Sequence, residues 1–442
     1  MSTRGVLSFG GLLSARGVRA LSAGLVALVA LIAAVVLLGP DGDSAGGTED
    51  GRPGPAADRW TGTWSAAAAA VEPGNVDGYA GTSIRNVVHT SIGGTSARIQ
   101  LSNLLGTRPL AIRHASIARA AAPGTPAAAP GTMRRLTFSG RPGVTVPAGG
   151  GVTSDPVRLT VPPAADLLVT TYSPAPSGPV TYHPHARQTS YLARGDRAAD
   201  TTGADYTKKV TSWRYLTGVD VRGPHTDGAV AAIGDSITDG STSTPDTNHR
   251  WPDFLAARLR TEPGAPRYGV LNQGISGNRL LTDGSRWSVS GGPSVLSRLE
   301  RDVLSRAGVR SVIVEIGLND LFKSPRRLDP EELADGMREI VRRARARGIQ
   351  VTGSTLTPFG GHRGYRAELD SVRQALNAKI RAGEVFERYA DFDKALRDPG
   401  NPLRLRPAYD SGDHLHPSDA GYRAMAEAVN LRQLKGRAPA AS

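Results

Sequence analysis

A serine, an aspartate and a histidine stand where they could carry out acyl transfer. Gly234-Asp235-Ser236-Ile237-Thr238-Asp239-Gly240 follows directly on the apolar run Ala229 to Ile233, and reads as a strand ending in a tight turn that exposes the Ser236 hydroxyl. Far downstream, Asp413 precedes His416 by three positions, just before Pro417, so that a carboxylate and an imidazole share one short loop. Together they offer a nucleophile, a base and a group to orient the base, as hydrolysis through an acyl-enzyme requires. Each residue also has a plainer reading, with Ser236 as a helix cap and His416 as a structural histidine; it is the combination that points to catalysis.

The elements needed to bring these residues together are legible in the second half of the chain. Ala229 to Ile233, Val270 to Asn272, Ser311 to Ile316 and Ile349 to Thr352 read as strands. Between and after them come helical patterns at Trp251 to Leu259, Asp329 to Arg347, Leu369 to Ile380, and Ser418 to about Val429. Such alternation predicts an α/β domain with a parallel sheet covered on both faces. Ligands of such sheets bind beyond the carboxyl ends of the strands. Ser236, Asn272 to Asn278, and Gly317 to Asp320 should therefore meet on one rim, walled by the loops Thr238 to Arg250, Leu281 to Pro293 and Pro358 to Tyr365.

These blocks, in this order, resemble the SGNH/GDSL hydrolases over roughly Asp227 to Arg432. Gly234-Asp235-Ser236 resembles the nucleophile block. Asn272 to Asn278 is similar to the second, Gly317-Leu318-Asn319-Asp320 to the third, and Asp413 to Pro417 to the last. The resemblance implies a three-layer α/β/α, flavodoxin-like domain and a Ser236–His416–Asp413 triad. It also implies an oxyanion hole made by the N–H of Ser236, the N–H of Gly277 and the amide of Asn319. Asp235, Asn278 and Asp320 would support these groups, and no metal or organic cofactor is implied. Leu318 departs from the small or hydroxylated residue common in that block.

From Trp60 to about Gly223 the texture is instead short strands punctuated by Gly and Pro, which predicts an all-β, sandwich-like domain. Ser83 to His89 and Ala97 to Leu101, around Gly93-Gly94, read as a hairpin. Trp60-Thr61-Gly62-Thr63-Trp64 and Tyr215 to Asp220 resemble a secreted actinobacterial branch related to xylan and sugar acetylesterases; burial in the core is the expected fate of the tryptophans. The expected organisation is 1–38 export signal or membrane anchor, 39–58 disordered linker, 59–223 accessory domain, 224–435 hydrolase domain and 436–442 tail.

Composition limits the remaining possibilities. The chain has 442 residues, 39% apolar and 21% charged, and no cysteine, which excludes disulfides and thiolate chemistry. Arg4, Arg16 and Arg19 precede the uninterrupted run Ala20 to Leu38, so the sequence predicts an extracytoplasmic protein, secreted or tethered by an N-terminal helix. A net charge of +13 allows association with a cell wall or membrane surface, but no basic run interleaved with aromatics points to nucleic acid. Asp239 and Asp246 read as solvated turn residues. His89, His183 and His185 read as structural or surface histidines, not a metal site. The expected substrate is a small ester or acylated polysaccharide, acetyl esters of carbohydrates first. The rivals are a lipid acylhydrolase near the membrane and a non-catalytic wall- or glycan-binding protein.

Overall fold

The computed structural model describes residues 59–435 apart from 225 and 325–327. The apolar run Ala20 to Leu38 and the tail from 436 lie outside the described residues, among which no helix is long and apolar enough to cross a membrane.

The second half is built on five parallel strands in the spatial order Tyr268–Gly274, Gly228–Gly234, Val309–Glu315, Gln350–Ser354, Tyr389–Ala390. Gly228–Gly234 lies between Tyr268–Gly274 and Val309–Glu315 and is buried throughout, as the unbroken apolar run predicts. Helices Trp251–Thr261, Pro330–Arg345, Ala367–Arg381 and Asp419–Ala428 follow the strands and bury apolar stripes in the same core as the sheet. The helix from Pro330 begins as its sequence dictates. Asp329 accepts the Glu331 N–H, and Glu332 closes a capping box with it. Val270 to Asn272 proves to be the middle of a longer strand, because the polar residues Asn272 and Gln273 continue its ladder beside Ala232 and Ile233.

Residues before 224 form antiparallel strands. One sheet orders Thr61–Ser65, Leu216–Arg222, Gly94–Ser102 and Val157–Val161, with Gly151–Thr153 also on Gly94–Ser102. A second orders Lys208–Val210, Ser190–Arg194, Thr82–His89, Asp166–Ser173, His114–Arg119 and Arg134–Leu136. Ile84, Val88 and Val169 from the second sheet and Ile99, Leu101 and Val219 from the first share one core.

The expected hairpin is not formed. Thr82–His89 and Gly94–Ser102 lie in different sheets, and the chain crosses between them at Gly93-Gly94. A β-carbon on Gly93 would lie 2.6 Å from the Val161 carbonyl, and one on Gly94 would lie 2.8 Å from Val221 Cβ. The glycines therefore serve a crossing packed against backbone and side chain, not a two-strand turn. Trp64 is buried edge-on against Trp213, with 4.9 Å between ring centroids. Trp60 lies under the guanidinium groups of Arg98 and Arg222.

One buried cation ties the strand ends together. Arg298, fully buried, donates to the carbonyls of Gly234 (3.1 Å) and Gln273 (2.7 Å) and to Asn278 Oδ1 (2.8 Å), and pairs with Asp302 at 3.2 Å. Arg298→Met should leave these acceptors without a donor. At about 1–3 kcal/mol for each unsatisfied group, the loss of stability should be about 3 kcal/mol or more, read by urea unfolding.

Candidate active site

The first strand ends at Gly234 and the chain turns at once into the single helical turn Ser236–Asp239, capped by the Asp235 carboxylate on the Ile237 N–H (3.0 Å). The turn is tight enough that a β-carbon on Gly234 would lie 2.3 Å from the Glu315 carbonyl, and one on Gly274 2.2 Å from the Asp239 nitrogen. His416, on the loop before helix Asp419–Ala428, places Nε2 2.8 Å from Ser236 Oγ. Its Nδ1 lies 2.6 Å from Asp413 Oδ2, and Asp413 Oδ1 accepts the N–H groups of Leu415 and His416. Partial burial works to raise the Asp413 pKa. The hydrogen bonds and charge of His416 outweigh it and hold the carboxyl well below the usual carboxylate range. The neighbouring His414 adopts a positive φ of 62° and turns away to Asp410, at 2.6 Å.

Ser236, Gly277 and Asn319 line the same cavity, of about 840 Å³, as Asp413 and His416. Ser241, Ser290 and His362 show that each of the three expected loops contributes to its wall. Among the described residues, no group accepts the Ser236 or Gly277 N–H. Gly277 has φ of 74°, and a β-carbon there would lie 2.0 Å from Ser290 Oγ and 2.7 Å from Lys323 Nζ, so only glycine fits. Asn319 donates one amide hydrogen to Asp235 Oδ2 (3.1 Å), which fixes the amide and leaves its second hydrogen.

Asp235, Asn278 and Asp320 lie behind the cavity. Asn278 is buried, donates to the carbonyls of Gly291 (2.5 Å) and Pro293 (2.7 Å), and accepts from Arg298. Asp320 accepts the N–H groups of Leu280 (2.8 Å) and Leu281 (3.0 Å), bracing the segment that follows Gly277.

Asp239 is not a solvated turn residue. It is 2% exposed; Oδ2 accepts the Ser276 N–H (2.9 Å) and hydroxyl (2.7 Å), and Oδ1 meets His183 Nε2 at 2.9 Å. Burial acts to raise its pKa, but His183, His185 and Ser276 outweigh that and leave it lowered. The polar loop composition concealed this, because the partner histidine is distant in sequence. Asp246 is exposed and accepts the Thr189 N–H and hydroxyl. His89 pairs with Asp166 at 2.7 Å, away from His183, and no group of three His, Asp or Glu among the described residues is arranged to hold a metal.

Glu315 is a site residue whose role the sequence did not assign, although it was visible as the one charge in the run Ser311 to Ile316. Its buried carboxyl accepts the Thr238 hydroxyl at 2.8 Å, holding the nucleophile turn. Burial, and next the nearby Asp235, push its pKa well above 4.5.

Residues 232–424 match the model of the GDSL-like lipase/acylhydrolase family. This part of the chain belongs to that family, and the protein is a carboxylic ester hydrolase of the SGNH/GDSL type. No curated protein matches the chain. Similar solved structures include a carbohydrate acetylesterase from Sinorhizobium meliloti, 19% identical, covering 46% of this chain and 95% of that one, with a TM-score of 0.36. An acetylxylan esterase from Geobacillus stearothermophilus is 22% identical, covering 47% and 94%, with a TM-score of 0.36. A GDSL-like lipase from Bacteroides thetaiotaomicron is 20% identical, covering 46% and 85%, with a TM-score of 0.33.

The raised pKa of Glu315 sets a pH dependence of stability. The folded protein keeps a proton that the unfolded chain gives up above 4.5, so this group's contribution falls as pH rises towards the folded value. Glu315→Gln is neutral throughout and removes that fall. The melting temperature of the variant relative to wild type should rise as the pH increases above about 5, by calorimetry. A difference that stays flat with pH would mean that the folded carboxyl is already ionised.

Proposed function

We propose that this protein is a serine esterase acting through an acyl-enzyme on Ser236, with short acyl esters of carbohydrates, acetyl first, as substrates. The observation that carries the reading is the continuous line Ser236 Oγ, His416, Asp413, with separations of 2.8 and 2.6 Å. His416 Nε2 takes the hydroxyl proton as Ser236 Oγ attacks the ester carbonyl. Asp413 holds the tautomer and stabilises the imidazolium. The oxyanion is received by the N–H groups of Ser236 and Gly277 and the second amide hydrogen of Asn319. His416 then protonates the leaving alcohol, and water, activated by the same base, releases the acyl group.

Serines and glycines along the cavity wall favour a hydroxylated substrate over a long acyl chain. The complete triad argues against a purely binding role. The strand order supports a flavodoxin-like, three-layer arrangement for 224–435, and the shared core of two antiparallel sheets supports a sandwich for 59–223. Export, by cleavage or by an anchor at Ala20 to Leu38, is supported by the sequence alone.

On p-nitrophenyl acetate, Ser236→Ala should lower kcat by about a thousandfold or more, and Asn319→Ala by about 100- to 1,000-fold. Activity surviving Ser236→Ala would remove the acyl-enzyme. A strong preference for long acyl chains would favour a lipid substrate instead.

A further inference from the structure

The cavity above Ser236 is lined by cations that the hydrolytic chemistry does not use. Lys323 Nζ reaches the Gly277 carbonyl at 2.9 Å, beside the oxyanion position, and Arg363 and Arg366, both exposed, line the same cavity. Among the described residues no carboxylate pairs with Arg363 or Arg366. The sole acid on the described lining is Asp413, which His416 engages. Three like charges on the lining of one concave site, against the single carboxylate of Asp413 there, raise the local concentration of anions. Arginine in particular matches carboxylate geometry.

We infer that the ester cleaved here is carried on an anionic glycan: an O-acylated, uronate-bearing saccharide whose carboxylate meets Arg363 and Arg366 while its acyl group reaches Ser236. This rests on the esterase reading above and narrows its substrate class. The test compares kcat/KM on acetylated polygalacturonate and on acetylated xylan, for wild type and for the double variant Arg363→Ser/Arg366→Ser. Wild type should prefer the acidic polymer by about tenfold, and the preference should fall several-fold between about 0.02 and about 0.3 M salt. In the double variant the acidic-to-neutral ratio should drop by about tenfold. Equal rates on the two polymers in wild type, or an unchanged ratio in the variant, overturn the inference. Failure of wild type to hydrolyse p-nitrophenyl acetate would overturn the esterase reading itself.

A second inference comes from buried groups. His183 belongs to the antiparallel half; it touches the Ala67 carbonyl through Nδ1 (3.0 Å) and Asp239 through Nε2, and Asp239 in turn holds Ser276. The Ser276 carbonyl accepts the Gly291 N–H at 2.8 Å. In a trans peptide the C=O and N–H point oppositely, so fixing that carbonyl and the Ser276 amide aims the Gly277 N–H the other way. The geometry assigns His183 and Asp239 as positioning residues for the oxyanion hole, which makes the antiparallel half a working part of the active site.

His183→Leu should lower kcat by about tenfold or more with little change in KM, since the donor acts on the transition state. His183→Gln, which keeps an N–H for Asp239, should recover part of the loss. Ser276→Ala, which keeps the backbone N–H but not the hydroxyl, gives a milder drop in kcat and remains a test if His183→Leu does not fold. Unchanged kcat in the folded variants, or a drop in melting temperature alone, would overturn the assignment.

Discussion

Three neighbouring strands end within a few residues of one another, and the site depends on how closely they can do so. Gly234 and Gly274 carry no side chain where the nucleophile turn crosses the strand ends, and a methyl group at either would collide with backbone. The approach brings together carbonyls that would repel without a donor, and the Arg298 guanidinium fills that gap between Gly234, Gln273 and Asn278. Glu315 accepts the Thr238 hydroxyl of the turn. A buried cation and a buried acid thus hold the ends of a turn that also has to expose a reactive hydroxyl.

The same close packing extends into the antiparallel half. Tyr268–Gly274 is the edge of the parallel sheet, and its outer side meets Thr61–Ser65. A β-carbon on Gly269 would lie 2.1 Å from the Gly62 carbonyl, and the Ser91 hydroxyl serves both the N–H (2.8 Å) and the carbonyl (3.3 Å) of Val270. Gln273 donates to Ser65 Oγ at 2.8 Å, and the Arg306 guanidinium reaches Gln100. These contacts are polar and specific, unlike those of two bodies joined only by a linker.

Much of this was legible in the chain. The period of apolar residues gave the parallel strands and the helices, and Asp329-Pro330-Glu331-Glu332 gave a helix start that the structure reproduces. Ser236, Gly277 and Asn319 each sit just beyond a strand whose direction is fixed by the sheet, so their meeting on one rim was legible. Asp413 and His416, which join them in one cavity, were legible from residue type and from the family resemblance. What the sequence concealed were long-range pairings. Asp239 in a polar loop has the composition of a solvated turn, and only the approach of His183, 56 positions away, buries it. Gly93-Gly94 has the composition of a hairpin turn, yet the pairing of its flanking strands is decided by partners elsewhere in the chain. Arg298 resembles any arginine on a helix until the strand ends close around it.

The covering of Tyr268–Gly274 bears on how such a chain can be cut and recombined. A fragment beginning near residue 224 would lose the Ser91 hydroxyl and the Thr61–Ser65 shield, and would present an uncovered edge strand to its neighbours in solution. The hydrolase portion is therefore a poor candidate for a free-standing module, and domain shuffling would have to carry both halves as one heritable block.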